Sequence, residues 1–455
     1  MLYSIKKVHL IGIGGIGMSG IAELLKNKEF VVSGSDIADS PNVQRLIDLG
    51  INVSIGHNKK NISDAELVIY SDAIPKDNAE LIEALAKNII VYSRARMISE
   101  IAKLNNSTVA IAGTHGKTTT TSMVGTILKA MNLDPTIIVG GVVKSLESNS
   151  VLGGGDTFVV EADEYNKSLL HLSPTIAVIN NIDFEHIECY NDIDDLKDTF
   201  LQFANSVPFY GTVCACKDSK NVASILSKID KPIITYGIES QNVDIKAENL
   251  HQENGTISFD VKVKDQIFSV NLSVPGKYNA YNALAALSVC ETMGIDLESA
   301  CKALSNFSGV KRRFDIKANK DIMIIDDYAH HPVEVENVIE TVKSNWNKNL
   351  NVIFQPHLFS RTKEFYKDFA KALMIADNVM ITEIFGSREK EDNSTTSDLI
   401  INEMLKLNHK NVSYVSSKDI VEEVKSRGVK GDIFLTMGAG NIWRYAKELG
   451  KHYND

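Results

Sequence analysis

Short apolar runs alternate with amphipathic stretches along most of this 455-residue chain. In residues 1–103 the runs Val8–Ile13, Phe30–Ser33, Leu67–Tyr70 and Ile89–Tyr92 read as buried strands. Helical spacing marks Ile21–Lys28 and Val43–Leu49 between them. In residues 104–311, Ser107–Ile111, Thr157–Val160 and Ile176–Ile179 read as strands. Ser122–Met131 reads as a helix, with apolar residues at Met123, Val124, Ile127 and Leu128. The pattern changes over residues 243–274, where Thr256–Val263 and Ile267–Val274 alternate polar and apolar positions. Asn254-Gly255 is a turn signal, so a small antiparallel insert is predicted. Residues 312–455 alternate again: strands at Ile322–Ile325, Val352–Phe354, Val379–Ile381 and Ile433–Thr436, helices at Val333–Val342 and Thr362–Ile375. The predicted fold class is α/β, in three domains with boundaries at 1–103, 104–311 and 312–455. Each is a mainly parallel sheet with flanking helices, and the central one carries the antiparallel insert.

Composition narrows the partners. An apolar fraction of 44% and a charged fraction of 23% are those of a soluble globular protein. The net charge is −10, without a long basic block, which argues against nucleic acid or an anionic membrane as the main partner. Five scattered cysteines, without a CxxC pair, point to a reducing compartment. Lys6 and Lys7 precede an apolar run as in a signal peptide, but glycines and His9 interrupt it. No run is long enough to span a bilayer, so a cytoplasmic protein is predicted, as a monomer or homodimer.

The chemistry centres on Ala112–Thr120 (AGTHGKTTT), a glycine turn between a strand and a helix. Such a turn points backbone N–H groups outward, and the helix N-terminus adds partial positive charge, so a polyphosphate can settle there. Gly113, Thr114, His115, Gly116 and Thr119 would form the cradle. Lys117 would reach the outer phosphates, and the Thr118 hydroxyl would hold Mg²⁺. The longer phosphate-loop pattern needs a glycine where this chain has Ile111. DTFVVEADE ends in Glu161, Asp163 and Glu164, at a strand end where Mg²⁺ is held beside such a loop. Asp183, Glu185 and His186 follow another strand end, as candidates for a second metal or phosphate contact.

A second glycine turn, Gly12-x-Gly14-Gly15-x-Gly17, also joins a strand to a helix. Asp36 stands nineteen residues after Gly17, the spacing of a dinucleotide fingerprint. Any ribose-bearing pyrophosphate nucleotide satisfies it. Arg312-Arg313 at the third-block boundary can swing a charge onto a transferring phosphate. Asp326-Asp327-Tyr328-Ala329-His330-His331-Pro332 and Gln355-Pro356-His357 with Arg361 make two polar strand-end clusters, as in a polar substrate site. Gly438-Ala439-Gly440-Asn441 reads as a plain loop.

Together these segments resemble the Mur ligases across essentially the whole chain. VHLIGIGGIGMSGIAE, GTHGKTTT, EADE, HLSPTIAVINNIDFEH, VPGKYNAYNALAA, RRFD, DDYAHHP and FQPHLFSRT occur in the family's order and spacing. The resemblance implies ATP-dependent ligation of L-alanine to the lactyl carboxylate of UDP-N-acetylmuramate through an acyl phosphate. The first block, with Gly12, Gly14, Gly15, Gly17 and Asp36, would bind the UDP part. The second would bind ATP and Mg²⁺, and the third would receive L-alanine. By resemblance Lys117 and Thr118 hold phosphates and Mg²⁺, Glu161 holds Mg²⁺, and His186 helps hold a second. Asn279 and Asn282 lie by adenine, Arg313 touches phosphate and Asp327 lies near the ribose. Tyr328, His330, His357 and Arg361 line the substrate and amino-acid side. Lys117, His186, Arg313 and His330 are the residues expected to act on the reacting groups.

The chain reads EADEYN where the family often has EADESD, and Leu358 where some members have a basic residue. Lys197 does not stand at the spacing of the carbamylated lysine of related ligases. Rival readings are a ligase that joins a peptide to the same sugar nucleotide, an NAD-dependent dehydrogenase and a non-catalytic nucleotide switch. The dehydrogenase leaves the phosphate loop unexplained, and the switch leaves the polar third block unexplained.

Overall fold

The computed structural model describes residues 5–62, 64–71, 73–144, 148–184, 189–387 and 389–454. Three sheets carry the chain. The first has five parallel strands in the order Asn52–Ile55, Val31–Asp36, Lys7–Ile11, Leu67–Tyr70, Ile90–Ser93. The order in which strands are added reverses between Lys7–Ile11 and Leu67–Tyr70, and a crevice opens there beyond the strands' carboxyl ends. The turn after Ile11 lies in that crevice, and Gly12 packs against Ser71 and Ile74.

The central sheet has ten strands. Ser107–Ala112 lies between Ile176–Ile179 and Thr157–Ala162, parallel to both. Every strand residue from Val109 to Ala112 is fully buried, as a strand covered on both faces requires. The predicted insert is realised as the sheet's edge, through Ile245–Glu253, Thr256–Val263 and Gln266–Leu272. Two-residue turns at Asn254-Gly255 and Lys264-Asp265 join them, with positive φ at Asn254, Gly255 and Lys264.

The third sheet runs Asp315–Asn319, Met323–Asp327, Ile433–Met437, Leu350–Phe354, Asn378–Ile381, Val412–Tyr414. Only its first strand is antiparallel to its neighbour. Successive residues face opposite sides. Ile325, Val352 and Leu435 pack with Val335, Ile339 and Phe369 of two helices. Ile324, Ile353 and Phe434 pack with Ile420, Val424 and Leu449 of two others. Each such side chain contributes about 1.5–3 kcal/mol when fully buried.

The chain forms two compact units: Met1–Glu248 with Asp260–Val270 and Tyr281–Phe307, and Asn249–Phe259 with Asn271–Ala280 and Ser308–Asp455. The first two α/β blocks share a unit because one apolar core is continuous through both. Met97, Ile98 and Ile101 of helix Arg94–Ala102 belong to it, as do Leu169, Leu172 and Phe158 of the central block.

Several boundaries differ from expectation. The second strand runs on past Ser33 to Asp36, which stands at its end as expected. Asp326 and Asp327 lie inside a fully buried strand, not in the open beyond it. Asp315–Asn319 precedes that strand in the sheet and escaped notice because its sequence, DIKAN, has no clean alternation. The five cysteines are free thiols; Cys214 and Cys216 are plain buried strand residues. No described helix is long and apolar enough to cross a membrane.

Candidate active site

The first glycine turn is ordered by its own neighbourhood. The N–H groups of Gly12 and Ile13 both donate to the Ser35 carbonyl, at 2.8 and 3.0 Å. Gly14 N–H donates to Asp36 Oδ2 at 2.9 Å. A Cβ on Gly14 would lie 2.7 Å from Val43 Cγ2 and 3.0 Å from that carboxylate, so only glycine fits. Asp36 thus braces the loop. Gly15 caps helix Ile16–Asn27 in extended backbone conformation, and Gly17 lies under the Arg94 guanidinium.

Behind this loop lies a buried polar cluster that the sequence reading missed. The Glu80 carboxylate is fully buried and accepts from Ser35 Oγ at 2.6 Å, Asn61 Nδ2 at 2.6 Å and Asn58 N at 2.9 Å. His9 Nε2 lies 3.3 Å away, with its Nδ1 on Ser33. Burial opposes the charge on Glu80, but the hydrogen bonds from His9, Ser35, Asn58 and Asn61 outweigh it and hold the carboxyl at about 2.

The phosphate loop has positive φ at Gly113 (+145°) and Gly116 (+82°). A Cβ on Gly116 would sit 2.4 Å from Asn282 Oδ1. The segment after Ile176–Ile179 clamps the loop. His115 N–H donates to Asn181 Oδ1 at 2.7 Å, and Asn181 Nδ2 donates back to the His115 carbonyl at 3.1 Å. Thr114 Oγ1 donates to the Asp183 carbonyl and accepts from its N–H, at 3.1 and 2.8 Å. His115 Nε2 also lies 3.4 Å from Asp183 Oδ2. Asn180 Nδ2 donates to Thr120 Oγ1, which donates to Asn282 Oδ1, at 3.0 and 3.2 Å. Asn180 and Asn181 therefore support the loop, a role their sequence context does not announce.

The three strand-end acids divide. Glu161 accepts from Gly140 N–H at 2.6 Å and faces Thr118 and Lys117; burial nevertheless raises its carboxyl. Asp163 lies 3.7 Å from Arg94. Glu164 takes the Lys117 ammonium on both oxygens, at 2.9 and 2.7 Å. Thr118 and Glu161 form a pair of hard oxygen donors, a set that suits Mg²⁺. His186 and Glu185 lie outside the described residues.

In the second unit, Asp327 accepts from Phe314 N at 2.6 Å and Ala329 N at 2.7 Å; burial lifts its carboxyl to about 6, against the nearby Arg313 charge. Arg313 Nη1 lies 3.6 Å from Glu334 Oε1, with its guanidinium 5.0 Å above the Tyr328 ring. Arg312 is the structural member of the pair: it reaches buried Asp326 and the Gly438 carbonyl. His330 Nδ1 faces the Tyr328 carbonyl at 3.1 Å and Glu334 Oε2 at 3.2 Å. The His330 ring is 5.1 Å from Tyr328 and 6.0 Å from His357, so the two polar clusters meet. Glu334 was not foreseen. Arg361 is buried in the first turn of helix Phe359–Leu373, which Leu358 enters at φ +67°. Gly438 and Gly440 pack on Gln355, a tight loop as expected. Asn279 donates to the Pro275 carbonyl at 2.6 Å.

These features define a class: a nucleotide-using α/β enzyme with a lysine, a hydroxyl and a carboxylate at a phosphate loop. Family models describe the particular kind. Residues 7–106 match the Mur ligase family catalytic domain, 111–290 the Mur ligase middle domain and 312–440 the Mur ligase glutamate ligase domain. A UDP-N-acetylmuramate–L-alanine ligase of Geotalea uraniireducens is 42% identical over 99% of this chain and 98% of its own. Among solved structures, a UDP-N-acetylmuramate-alanine ligase of Thermotoga maritima aligns with TM-score 0.83 at 29% identity, covering 98% of this chain and 99% of its own. A murein peptide ligase of Psychrobacter arcticus shares the fold, with TM-score 0.74 at 24% identity over 99% of both chains. The chain belongs to the Mur ligase family.

Proposed function

We propose that this enzyme joins L-alanine to the lactyl carboxylate of UDP-N-acetylmuramate, consuming ATP and releasing ADP and phosphate. This is the first amino-acid addition in peptidoglycan precursor synthesis, a cytoplasmic step. The reading rests on one observation: the Lys117, Thr118 and Glu161 constellation stands in a chain whose full-length relatives carry the name of that ligation.

A carboxylate does not acylate an amine at neutral pH because its oxygen is a poor leaving group. Transfer of the γ-phosphoryl group of ATP makes an acyl phosphate, and the neutral amine of L-alanine then displaces phosphate. Three anions must come together, so Lys117 and Arg313 neutralise charge that develops on the transferring group. Thr118 and Glu161 would hold Mg²⁺, with His186 at a second ion. Bound there, Mg²⁺ supplies positive charge to the phosphate oxygens.

Residues 1–103 take the UDP part at Gly12, Gly14, Gly15, Gly17 and Asp36. Residues 104–311 take ATP at Gly113–Thr119, with Asn279 and Asn282 by adenine. Residues 312–455 supply Arg313 to phosphate and Asp327 to the ribose. Tyr328, His330, His357 and Arg361 receive the acyl group and L-alanine. Arg361 suits a carboxylate, which its guanidinium can grip through two parallel hydrogen bonds.

Calorimetry tests the reading. UDP-N-acetylmuramate should bind without ATP, and NADH should give no heat. Tight NADH binding with no response to the uridine nucleotide would replace the ligase with a dehydrogenase.

A further inference from the structure

Glu164 is the strand-end acid with no part in the ligation scheme. Its side chain is 2% exposed, and both its oxygens lie on Lys117 Nζ. The same ammonium donates to the Gly113 carbonyl at 2.6 Å and reaches the Thr114 carbonyl at 3.3 Å. An ammonium has three N–H donors, so four oxygens exhaust it. Lys117 is folded back over its own loop. Glu164 is fixed beneath it: its carbonyl accepts from the Tyr190 hydroxyl at 2.5 Å and from Lys167 N–H at 2.9 Å.

We propose that Glu164 is a positioning residue that latches Lys117 over its own loop and makes the loop discriminate against nucleotide arriving without a divalent cation. The proposal rests on the reading of Lys117 as the phosphate lysine. To serve a phosphate, the ammonium must give up oxygens it now holds. A buried carboxylate that loses its partner is strongly destabilising. A metal-free polyphosphate adds negative charge beside that carboxylate and raises the cost further. A nucleotide that brings Mg²⁺ arrives with positive charge that offsets the repulsion. Thr118 and Glu161 stand ready beside the same lysine. Glu164 would thus act by penalising the wrong form of the ligand.

The test is calorimetric titration of ADP into the full-length protein, in EDTA and in excess Mg²⁺. Glu164→Gln keeps the shape and removes the charge. It should tighten metal-free ADP on the order of tenfold, the size of one released charge contact, and change Mg²⁺–ADP much less. In a Lys117→Ala background the same substitution should give a clearly smaller gain, because only the direct repulsion is then relieved. Unchanged or weakened metal-free binding in Glu164→Gln, or an equal gain without Lys117, would overturn the latch. Lys117→Ala tests it independently of how Glu164→Gln folds. Because the latch cancels what the lysine offers a metal-free ligand, this variant should weaken Mg²⁺–ADP on the order of tenfold and leave metal-free ADP nearly unchanged. Equal weakening of both forms overturns the latch alone. No weakening of either overturns the phosphate-loop reading with it.

Discussion

The turn after Ile11 and the turn after Ala112 are built alike. Each leaves a buried parallel strand, passes through glycines that a side chain would not fit, and enters a helix, Ile16–Asn27 or Lys117–Ala130. Their charges differ. In the first, the Asp36 carboxylate occupies the Gly14 amide, and the cation over Gly17, Arg94, comes from a different helix. In the second, a lysine and a hydroxyl stand in the helix's own first turn, facing the partly buried Glu161 and the buried Glu164. Backbone amides and a helix end suffice to hold a nucleotide that stays intact. Moving a phosphoryl group takes cations placed where charge develops. The contrast supports the proposal that the first loop binds and the second carries the chemistry.

The acids behind the loops are poised oppositely. Glu80 is held at about 2 by its donors, whereas burial raises Glu161. A lowered carboxyl contributes stability above its unfolded value of 4.5 and loses it as pH falls through about 2. A raised one contributes most below 4.5, and the contribution is lost as pH rises through its folded value.

The strongest way to break this contrast is Lys117→Ala. Turnover at saturating ATP should fall by about 10²–10³, measured at a temperature where circular dichroism shows the variant folded, because Glu164 loses its buried partner. Near-normal turnover would remove chemistry from the second loop. Glu80→Gln should be the largest loss of stability around the first loop. A shift of this size corresponds to about 3 kcal/mol at pH 7, shrinking as the pH approaches 2, read by urea unfolding across pH. A loss that does not vary with pH would show that packing, not charge, holds the cluster. Gly14→Val should weaken UDP-N-acetylmuramate by overpacking worth about 1–3 kcal/mol, and leave ATP affinity unchanged. Equal weakening of both ligands would merge the two loops into one site. The smallest effect sharpens the contrast most. Glu161→Gln should stabilise the protein slightly at pH 7.5, a gain that disappears as pH falls below 4.5, while ligation is lost. Destabilisation at pH 7.5 would mean that the ionised carboxylate is the form the fold prefers.

Both loops, the sheets they leave and Glu161 beside Thr118 were legible because each signal is local: glycine spacing, an apolar run, a strand-end acid. What escaped depends on partners far apart in the chain. Lys117 and Glu164 are 47 residues apart, and His9 and Glu80 are 71. Neither pair leaves a periodic trace. The Asn181 clamp on His115 and the Glu334 contacts to His330 and Arg313 arise from loops brought together by strand order. Some missed strands were short or polar: Asn52–Ile55 sits at a sheet edge, and Ile245–Glu253 alternates without an apolar run, whereas Thr136–Val143 and Ile233–Gly237 are apolar and went unread. Arg312 and Arg313 look equivalent in sequence. Only the buried Asp326 beside the former marks it as the structural arginine.

The central claim is that the second loop drives ligation of one amino acid onto the nucleotide held by the first. Phosphate release, measured with UDP-N-acetylmuramate and ATP against each amino acid and against L-alanyl-γ-D-glutamyl-diaminopimelate, tests it most directly. The account predicts phosphate release with L-alanine that requires UDP-N-acetylmuramate and yields its L-alanyl product in equal amount. Release with the tripeptide but not with L-alanine, or release independent of the uridine nucleotide, would contradict it.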